Sequence, residues 1–352
     1  MVAEDHGGAV TSSSRRVLRS LDWRTSDLRE PDALASYRAA LDSGQSFRVV
    51  LIGDSRERYL LSRHFARGRL RLERLEFLPR ARPADLAELL GSGDLLLAAM
   101  PLPRARALGA PWHVAPRHLS LKSDVARMSA RIAAAGPPFG KYARQIRRAG
   151  YGFQVAFGRE AWRRFFYDFY EPTQRALRGA RVKLRQVSEY GGYAEPPEIL
   201  AITQGGEWVA AAAGYRDGMD YVFVELGFDG GDLSHRQRGA GHALYFAAFA
   251  RAYCRRVARL ELGMHPPFVL DPVLHYKRQW CPQMTRSPYC ERSLAIRLGK
   301  EPARGRDLLA HAPLVVEDPD HGLALLTGNE DGARRHRELS LELGLKVTVC
   351  ES

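Results

Sequence analysis

The chain has 352 residues, of which 45% are hydrophobic and 26% are charged, and it carries a net charge of +13. This length and composition predict a globular protein that buries a sizeable core and has room for two domains. No run of about 18 or more apolar residues occurs, which excludes a transmembrane helix and leads us to expect no membrane partner.

The cysteines and the N-terminus bear on cellular location. Four cysteines lie far apart, without a C-x-x-C pair, at Cys254, Cys281, Cys290 and Cys350. This spacing fits neither a disulfide framework nor a zinc site. The pair His113 and His118 also lacks nearby acidic residues, so we expect no metal. Residues 1–20 hold no apolar stretch of signal-peptide length, and we expect a bacterial-type protein of the reducing cytoplasm.

The N-terminal third alternates between strand and helix patterns. After a polar terminus at 1–40, the pattern predicts a strand (FRVVLIGD), a helix (RERYLLSRHFARG), a strand (LRLERLEFL), a short helix (PADLAELLGSG) and a strand (DLLLAAMP). This β-α-β-α-β order predicts a small parallel α/β unit over roughly 45–105.

The central region begins with helices and then becomes strand-rich. The helical patterns are VARMSARIAAAG, the basic KYARQIRRAGYG and the aromatic EAWRRFFYDFYEPTQRALRG, which is helical at least to Pro172. From residue 198, three antiparallel strands are separated by Gly-Gly and Asp-Gly turns. A Gly-bearing loop, a helix over 242–258, a strand (RLELGM), a helix (VLHYKRQWC) and a final strand (SLAIRLG) follow.

The last fifty residues return to an α/β pattern, and we expect them to pair with the N-terminal sheet. The predicted organisation is therefore a small α/β domain of 41–134 with 301–352, and a central domain of 135–300. The predicted fold class is α/β (α+β), with a mixed sheet and flanking helices beside the smaller domain.

The loop before the central apolar helix is the strongest candidate for a binding site. It reads Arg236-Gln237-Arg238-Gly239-Ala240-Gly241. Glycines allow backbone N–H groups to approach an anion, and the start of the following helix carries a partial positive charge. Arg236 and Arg238 could add side-chain contacts to a phosphate. The alternative is an ordinary surface turn in an Arg-rich chain.

This loop and the order of elements around it resemble the GNAT acyltransferase superfamily, whose pyrophosphate loop has the pattern R/Q-x-x-G-x-G/A. Two further segments resemble the Fem-like branch: KYARQIRRAGYGFQV, and Tyr276-Lys277 with Trp280, although Cys281 stands where glycine is usual. The resemblance covers roughly 140–300. It implies a transferase that moves an acyl group from acyl-CoA to an amine of a small molecule or peptide.

The resemblance also implies catalytic roles. Glu225, on the strand before the loop, would take the proton of the attacking ammonium. Tyr276 would lie near the leaving sulfur, and Lys277 would steady an oxyanion or a phosphate. Each has a structural alternative: a solvent-facing strand residue, a half-buried core tyrosine and a surface lysine. His235, His242 and His265 flank the same region and titrate near neutrality when unperturbed.

A Fem-like enzyme would instead take an aminoacyl group from aminoacyl-tRNA. The net charge and the basic run Lys141, Arg144, Arg147 and Arg148 suit an RNA backbone, as do the arginines at 178, 181 and 185. Such enzymes typically lack the glycine loop, which favours CoA as the donor. A GNAT-like binding module without catalysis also stays open.

A hydrolase is the alternative from another class. Gly53-Asp54-Ser55 follows a strand, as in GDS-type esterases, and Asp318-Pro319-Asp320-His321 has the spacing of their late D-x-x-H. The Gly-x-Asn-Asp block expected between the two is absent, which argues against this class. The 53–68 region also has no G-x-G-x-x-G, so a dinucleotide-binding Rossmann domain is excluded.

Overall fold

The computed structural model describes residues 33–40, 45–53, 70–77, 93–179 and 197–350. Within these ranges the strands are β1 (Ala33–Ala40), β2 (Ser46–Gly53), β3 (Leu70–Phe77), β4 (Leu95–Pro101), β5 (His113–Pro116), β6 (Leu119–Asp124), β7 (Gly152–Ala156), β8 (Glu198–Gln204), β9 (Glu207–Asp217), β10 (Asp220–Phe228), β11 (Arg259–His265), β12 (Gln283–Arg286), β13 (Arg292–Leu298), β14 (Leu314–Asp318), β15 (Gly322–Thr327) and β16 (Lys346–Val349).

The α-helices of the same ranges are α1 (Leu102–Arg106), α2 (Val125–Ala133), α3 (Phe139–Ala149), α4 (Gly158–Arg164), α5 (Glu171–Arg178), α6 (Ser234–Gln237), α7 (Ala240–Cys254), α8 (Pro272–Trp280), α9 (Pro302–His311), α10 (Glu330–Arg335) and α11 (Arg337–Leu343). A π-helical segment, Phe165–Tyr170, joins α4 to α5. None of these helices combines the length and the apolar character that a membrane span requires. The mixed α/β fold class is confirmed.

The described residues form two compact units. The first unit is continuous and holds 124–261. The second is discontinuous, because it combines the described residues before 124 with 262–350. The boundary at 261/262 falls within β11. The domain limits expected from the sequence, at 135 and 300, stay a prediction.

The strands of the first unit form the antiparallel run that the sequence predicts. β7 pairs with β8, β8 with β9 and β9 with β10. The turn between β8 and β9 places Gly205 and Gly206 at positive φ, which glycine adopts without a steric penalty. β10 and β11 are parallel, with Asp220–Val222 opposite Arg259–Glu261.

The aromatic helix of the first unit continues through Pro172, as α4, the π-helical segment and α5. Proline lacks the N–H that an interior α-helical turn needs, and here it lies in the first turn of α5, after the π-helical segment. The segment packs closely on β10, because a Cβ added to Gly227 would lie 2.3 Å from the backbone of Phe169. Aromatic side chains fill this core: Trp162, Phe165, Phe166, Phe169, Tyr170 and Trp208.

The second unit contains a six-stranded sheet in the order β3-β1-β2-β4-β13-β5. β2 and β4 are parallel, as the sequence predicts, whereas β1 is antiparallel to both β2 and β3. A separate sheet has the order β14-β15-β16. Both sheets contribute to one apolar core, in which Leu51, Leu97 and Ile296 meet Leu314 and Leu326.

Three features of the second unit differ from the sequence expectations. Residues 33–40, expected in a polar terminus, form β1, whose sequence ALASYRAA has little β-branched character. The C-terminal strands build their own sheet and pack against the N-terminal sheet without pairing with it. β13, expected in the central domain, pairs with β4 and β5. The helices expected near 55–68 and 83–93 lie largely outside the described residues.

Candidate functional site

The glycine loop connects β10 to α7 through two short helical turns. The chain passes from Phe228 through a 3₁₀ turn, Asp229–Gly231, and then through α6. Gly239 follows with φ of +96°, a conformation that side chains with a Cβ rarely adopt. The strand–loop–helix arrangement expected from the sequence is therefore present.

The start of α7 satisfies the main requirement of an anion site. α7 has 15 residues, no side chain caps it, and its first turn holds no acidic residue. The first amides of an α-helix have no acceptor within the helix, and the helix dipole favours negative charge there. The N–H groups of Ala240 and Gly241 belong to this turn.

Helix α3 lies against the loop. Gln145 Nε2 donates to the carbonyl of Gln237 at 2.7 Å. A Cβ added to Gly239 would lie 2.9 Å from Gln145 Cδ. Gly239 is buried, so its missing side chain makes room for Gln145 as well as allowing the positive φ.

Cationic groups from α3 and from the loop surround the start of α7. The Tyr142 ring stacks on His242 with centroids 3.7 Å apart. Burial, with further contributions from Lys141 and Arg236, lowers the pKa of His242 from 6.5 to about 4. The imidazole is therefore neutral at physiological pH, and Lys141 and Arg236 supply the positive potential beside it.

Arg238 is held beside the loop by neighbouring groups. Its guanidinium donates to Ser234 Oγ at 3.2 Å and lies 3.0 Å from His235 Nδ1. Asp232 accepts hydrogen bonds from Ser234, which lower the pKa of the Asp232 carboxyl. Arg236 and Arg238 are both exposed, so each guanidinium is accessible to an anion at the loop.

The basic run of α3 forms an exposed surface in the same unit. Its four members are exposed: Lys141, Arg144, Arg147 and Arg148. The spacing of Lys141, Arg144 and Arg148 places these three on one helix face. Arg178 lies at the end of α5, and the arginines at 181 and 185 lie outside the described residues.

Glu225 lies on β10 at a point where the sheet register changes. It is half-buried and opposite Ala213 of β9, directly after a bulge between Phe223 and Glu225. Among the described residues, the parallel pairing of β10 with β11 stops at Val222. The far edge of Phe223–Phe228 is therefore not used by that pairing, and a bulge re-aims neighbouring side chains.

The other predicted catalytic residues belong to the second unit. Lys277 Nζ donates to the carbonyls of Leu262 at 2.8 Å and Met264 at 3.3 Å. These bonds attach α8 to β11, so the ammonium has a structural role in the absence of substrate. Tyr276 is half-buried and meets Trp280 edge-on, with ring centroids 6.3 Å apart.

His265, also in the second unit, is buried beside Lys277. Its Nδ1 lies 2.7 Å from the carbonyl of Pro266, so Nδ1 carries the proton. Burial and Lys277 lower the pKa of His265 to about 4, although Asp271, whose Oδ2 is 3.6 Å from Nε2, opposes the shift. The imidazole is neutral at physiological pH.

The esterase alternative has no assembled triad among the described residues. Asp54 and Ser55 lie outside them. His321 Nδ1 is 2.9 Å from Asp318 Oδ1, and the same carboxylate accepts the N–H groups of Asp320 and His321. The D-x-x-H spacing thus corresponds to the turn between β14 and β15.

Sequence reasoning missed a buried ion pair at the other end of α7 from the candidate site. Glu198 of β8 is 1% exposed and accepts hydrogen bonds from Arg251 at 2.8 and 2.6 Å and from Arg255 at 3.2 Å. Burial alone would raise the pKa of Glu198, but the hydrogen bonds from Arg251 lower it. The available signal was the spacing of two arginines, Arg251 in the last turn of the mostly apolar α7 and Arg255 directly after its end.

Comparisons with known proteins place the chain in no family. No family model and no curated protein matches it. Solved structures with some similarity include the C-terminal domain of a protein described as a lysylphosphatidylglycerol synthetase from Agrobacterium fabrum. The identity is 11% and the TM-score 0.40, over 83% of this chain and 90% of that chain.

Two further structures are similarly distant. The L-PGS structure from Bacillus licheniformis is 15% identical, with a TM-score of 0.34 over 75% of this chain and 84% of that chain. A GCN5-related N-acetyltransferase from Kribbella flavida is 12% identical, with a TM-score of 0.30 over 92% of this chain and 80% of that chain. Identities and TM-scores this low do not assign an activity.

Proposed function

We propose that the protein is an N-acyltransferase that moves an acyl group from an acyl-CoA thioester to an amine of a small molecule or peptide. The observation that carries the proposal is the uncapped start of α7, which follows the left-handed Gly239 and lies beside Arg236, Arg238 and Lys141. A diphosphate matches this arrangement of amides and cations. The resemblance of the loop to the GNAT pattern supports the same donor.

The reaction needs positioning and one proton acceptor. The amine attacks the thioester carbonyl, the C–N bond forms and the C–S bond breaks. Before the attack, Glu225 takes a proton from the substrate ammonium and so frees the lone pair of the amine; the second proton that the nitrogen loses passes to the departing thiolate. The edge of β10 beyond Val222 offers backbone groups that could orient the acyl carbonyl. The resemblance implies that Tyr276 lies near the leaving sulfur and that Lys277 stabilises an oxyanion or a phosphate. Both roles stay predictions.

Calorimetric titration of the whole chain with CoA tests the donor. We expect Arg236→Glu to weaken CoA binding by about tenfold or more, because a charge-assisted contact to phosphate is replaced by repulsion. Arg175→Ala is the matched control, since Arg175 is exposed in the same unit and pairs with Glu171.

Pantetheine, which lacks the phosphates, should not bind measurably. Equal CoA affinity in the parent and Arg236→Glu would contradict the proposed diphosphate site. CoA release from acetyl-CoA with a panel of amines then tests the transfer itself, and Glu225→Gln should abolish most of any activity found.

The second candidate donor is aminoacyl-tRNA. The exposed basic face of α3 favours it, because phosphate contacts dominate nucleic-acid affinity. Titration with charged tRNA, in place of CoA, distinguishes the two. Binding of tRNA that is lost in an Arg144→Glu variant, without binding of CoA, would assign the aminoacyl donor.

A further inference from the structure

The second unit contains a cavity of about 410 Å³ at one end of its six-stranded sheet. β1, β2, the residues before β4 and the segment from β13 into α9 contribute to its walls. None of the residues assigned to acyl transfer lines it. Its volume lies within the range of small-molecule sites.

The lining is strongly charged. Of its lining residues, four are cationic and two are acidic: Arg38, Arg48, Lys300, Arg304, Asp94 and Glu301. Small-molecule sites are usually lined mainly by apolar side chains, and a surplus of cations in a concave site focuses positive potential. The lining therefore favours an anionic ligand.

Two of the arginines are placed opposite each other by the sheet. Arg38 of β1 is the register partner of Arg48 of β2, so their side chains leave the same face of the sheet. Both side chains are exposed. Two guanidinium groups on one face of neighbouring strands are placed so that both can donate to the same anion.

The backbone around Asp94, on the carboxylate side of the cavity, is closely packed. Asp94 is 6% exposed and accepts the Arg48 N–H at 2.8 Å, and Arg304 lies 3.7 Å from it. A Cβ on Gly305 would lie 2.3 Å from the Asp94 carbonyl, and a Cβ on Gly299 would lie 1.8 Å from the Gly93 carbonyl. These close approaches fix the backbone around Asp94.

We propose that this cavity binds a small phosphorylated ligand. Arg38 and Arg48 hold the phosphate, because paired guanidinium groups match its oxygens. The carboxylate of Glu301 or Asp94 accepts hydrogen bonds from hydroxyl groups of the same ligand. A sugar phosphate and a nucleoside monophosphate share this chemistry.

Calorimetry and thermal unfolding of the whole chain test the proposal. The probes are ribose 5-phosphate and AMP, with ribose and adenosine as the matched compounds without phosphate. We expect at least one phosphorylated probe to bind and to raise the unfolding temperature, while its counterpart without phosphate does neither. Stronger binding of ribose 5-phosphate would indicate a sugar phosphate as the ligand, and stronger binding of AMP would indicate a nucleoside monophosphate.

Variants locate the site. Arg48→Gln should weaken binding by about tenfold. Arg48→Lys should weaken it by less, since lysine keeps the positive charge but lacks the planar guanidinium that donates two parallel hydrogen bonds. Arg334→Gln, an exposed arginine of α10 paired with Asp331, is the control and should change nothing.

Two results would overturn the proposal: no binding of either phosphorylated probe, or binding that Arg48→Gln leaves unchanged. Binding lost in Arg236→Glu but kept in Arg48→Gln would place the phosphate at α7 and would equally reject the cavity. Because the variants lie in different units, failure here leaves the acyltransferase proposal standing.

Discussion

Gly239 shows how one residue meets two separate demands. Its φ of +96° requires glycine, and Gln145 occupies the space where a Cβ would stand. The first demand follows from the local loop pattern, and the sequence alone indicates it. The second depends on where α3 packs, because Gln145 is 94 positions from Gly239 along the chain, and no local pattern reports such a contact. Candidate residues in a loop are therefore easier to predict than the neighbours that cover it.

His242 gives a prediction at this scale. Its pKa is about 4 in the folded protein against an ordinary value of 6.5, so between these values the unfolded chain binds the additional proton. Stability should fall as the pH drops from about 6.5 toward 4. His242→Phe keeps a ring against Tyr142 and removes the titration. Urea unfolding near pH 7 and pH 5 should show a smaller loss in this variant than in the parent.

His265 titrates in the parent and in His242→Phe alike. The difference between their losses of stability from pH 7 to pH 5 therefore reports the titration of His242. Equal losses of stability in the parent and in His242→Phe would show that His242 is not the neutral, half-buried group described above.

Helix α7 connects the candidate site to the rest of the first unit. Its N-terminal end carries the anion site, and Arg251 and Arg255, near its C-terminal end, bind Glu198 of β8. The apolar pattern predicted the helix within two residues of its start and four residues of its end, but it could not predict Glu198 as the partner. Ion pairs between distant elements depend on the sheet order, which the pattern of one helix does not contain.

Removing this ion pair should destabilise the protein measurably. Glu198→Gln leaves two arginines without their carboxylate, and we expect a loss of about 2 to 3 kcal/mol in the free energy of unfolding. Glu171→Gln removes an exposed pair on α5, where Glu171 meets Arg175 at 2.6 Å, and should cost less than about 0.5 kcal/mol. Urea denaturation of both variants makes the comparison. Similar losses would mean that the Glu198 pair contributes no more than a surface pair.

The whole molecule has a net charge of +13, which bears on the choice between CoA and tRNA. Each phosphate contact with RNA releases counterions, so affinity falls steeply with salt. We expect any tRNA binding to weaken by about two orders of magnitude or more between roughly 50 and 200 mM salt, and CoA binding to weaken less.

Replacing Arg144 and Arg148 with alanine should lower the salt slope of tRNA binding by about 1 to 2. Titrations at several salt concentrations measure it. An unchanged slope would exclude this face of α3 as the RNA contact.

At this scale the sequence predicted most strands and helices but not their assembly. The three strands after residue 198 and the parallel pair β2 and β4 follow from turn residues and apolar runs. The unit boundary within β11, the separate sheet of the C-terminal strands and the place of β13 beside β4 do not. These features are set by contacts between segments about 200 residues apart, as in the pairing of Leu97 with Ile296.

The discontinuity of the second unit affects the order in which the two units fold during translation. The ends of the first unit meet, since the N–H of Val125 donates to the carbonyl of Ala258 at 3.0 Å. That unit can close once its own last strand has emerged. The N-terminal strands must wait, because the core that covers Leu51 and Leu97 includes Leu326 and Cys350. The N-terminal strands are thus made before the first unit but complete their core after it, and their apolar side chains stay exposed for longer during translation, when partly folded chains are prone to aggregate.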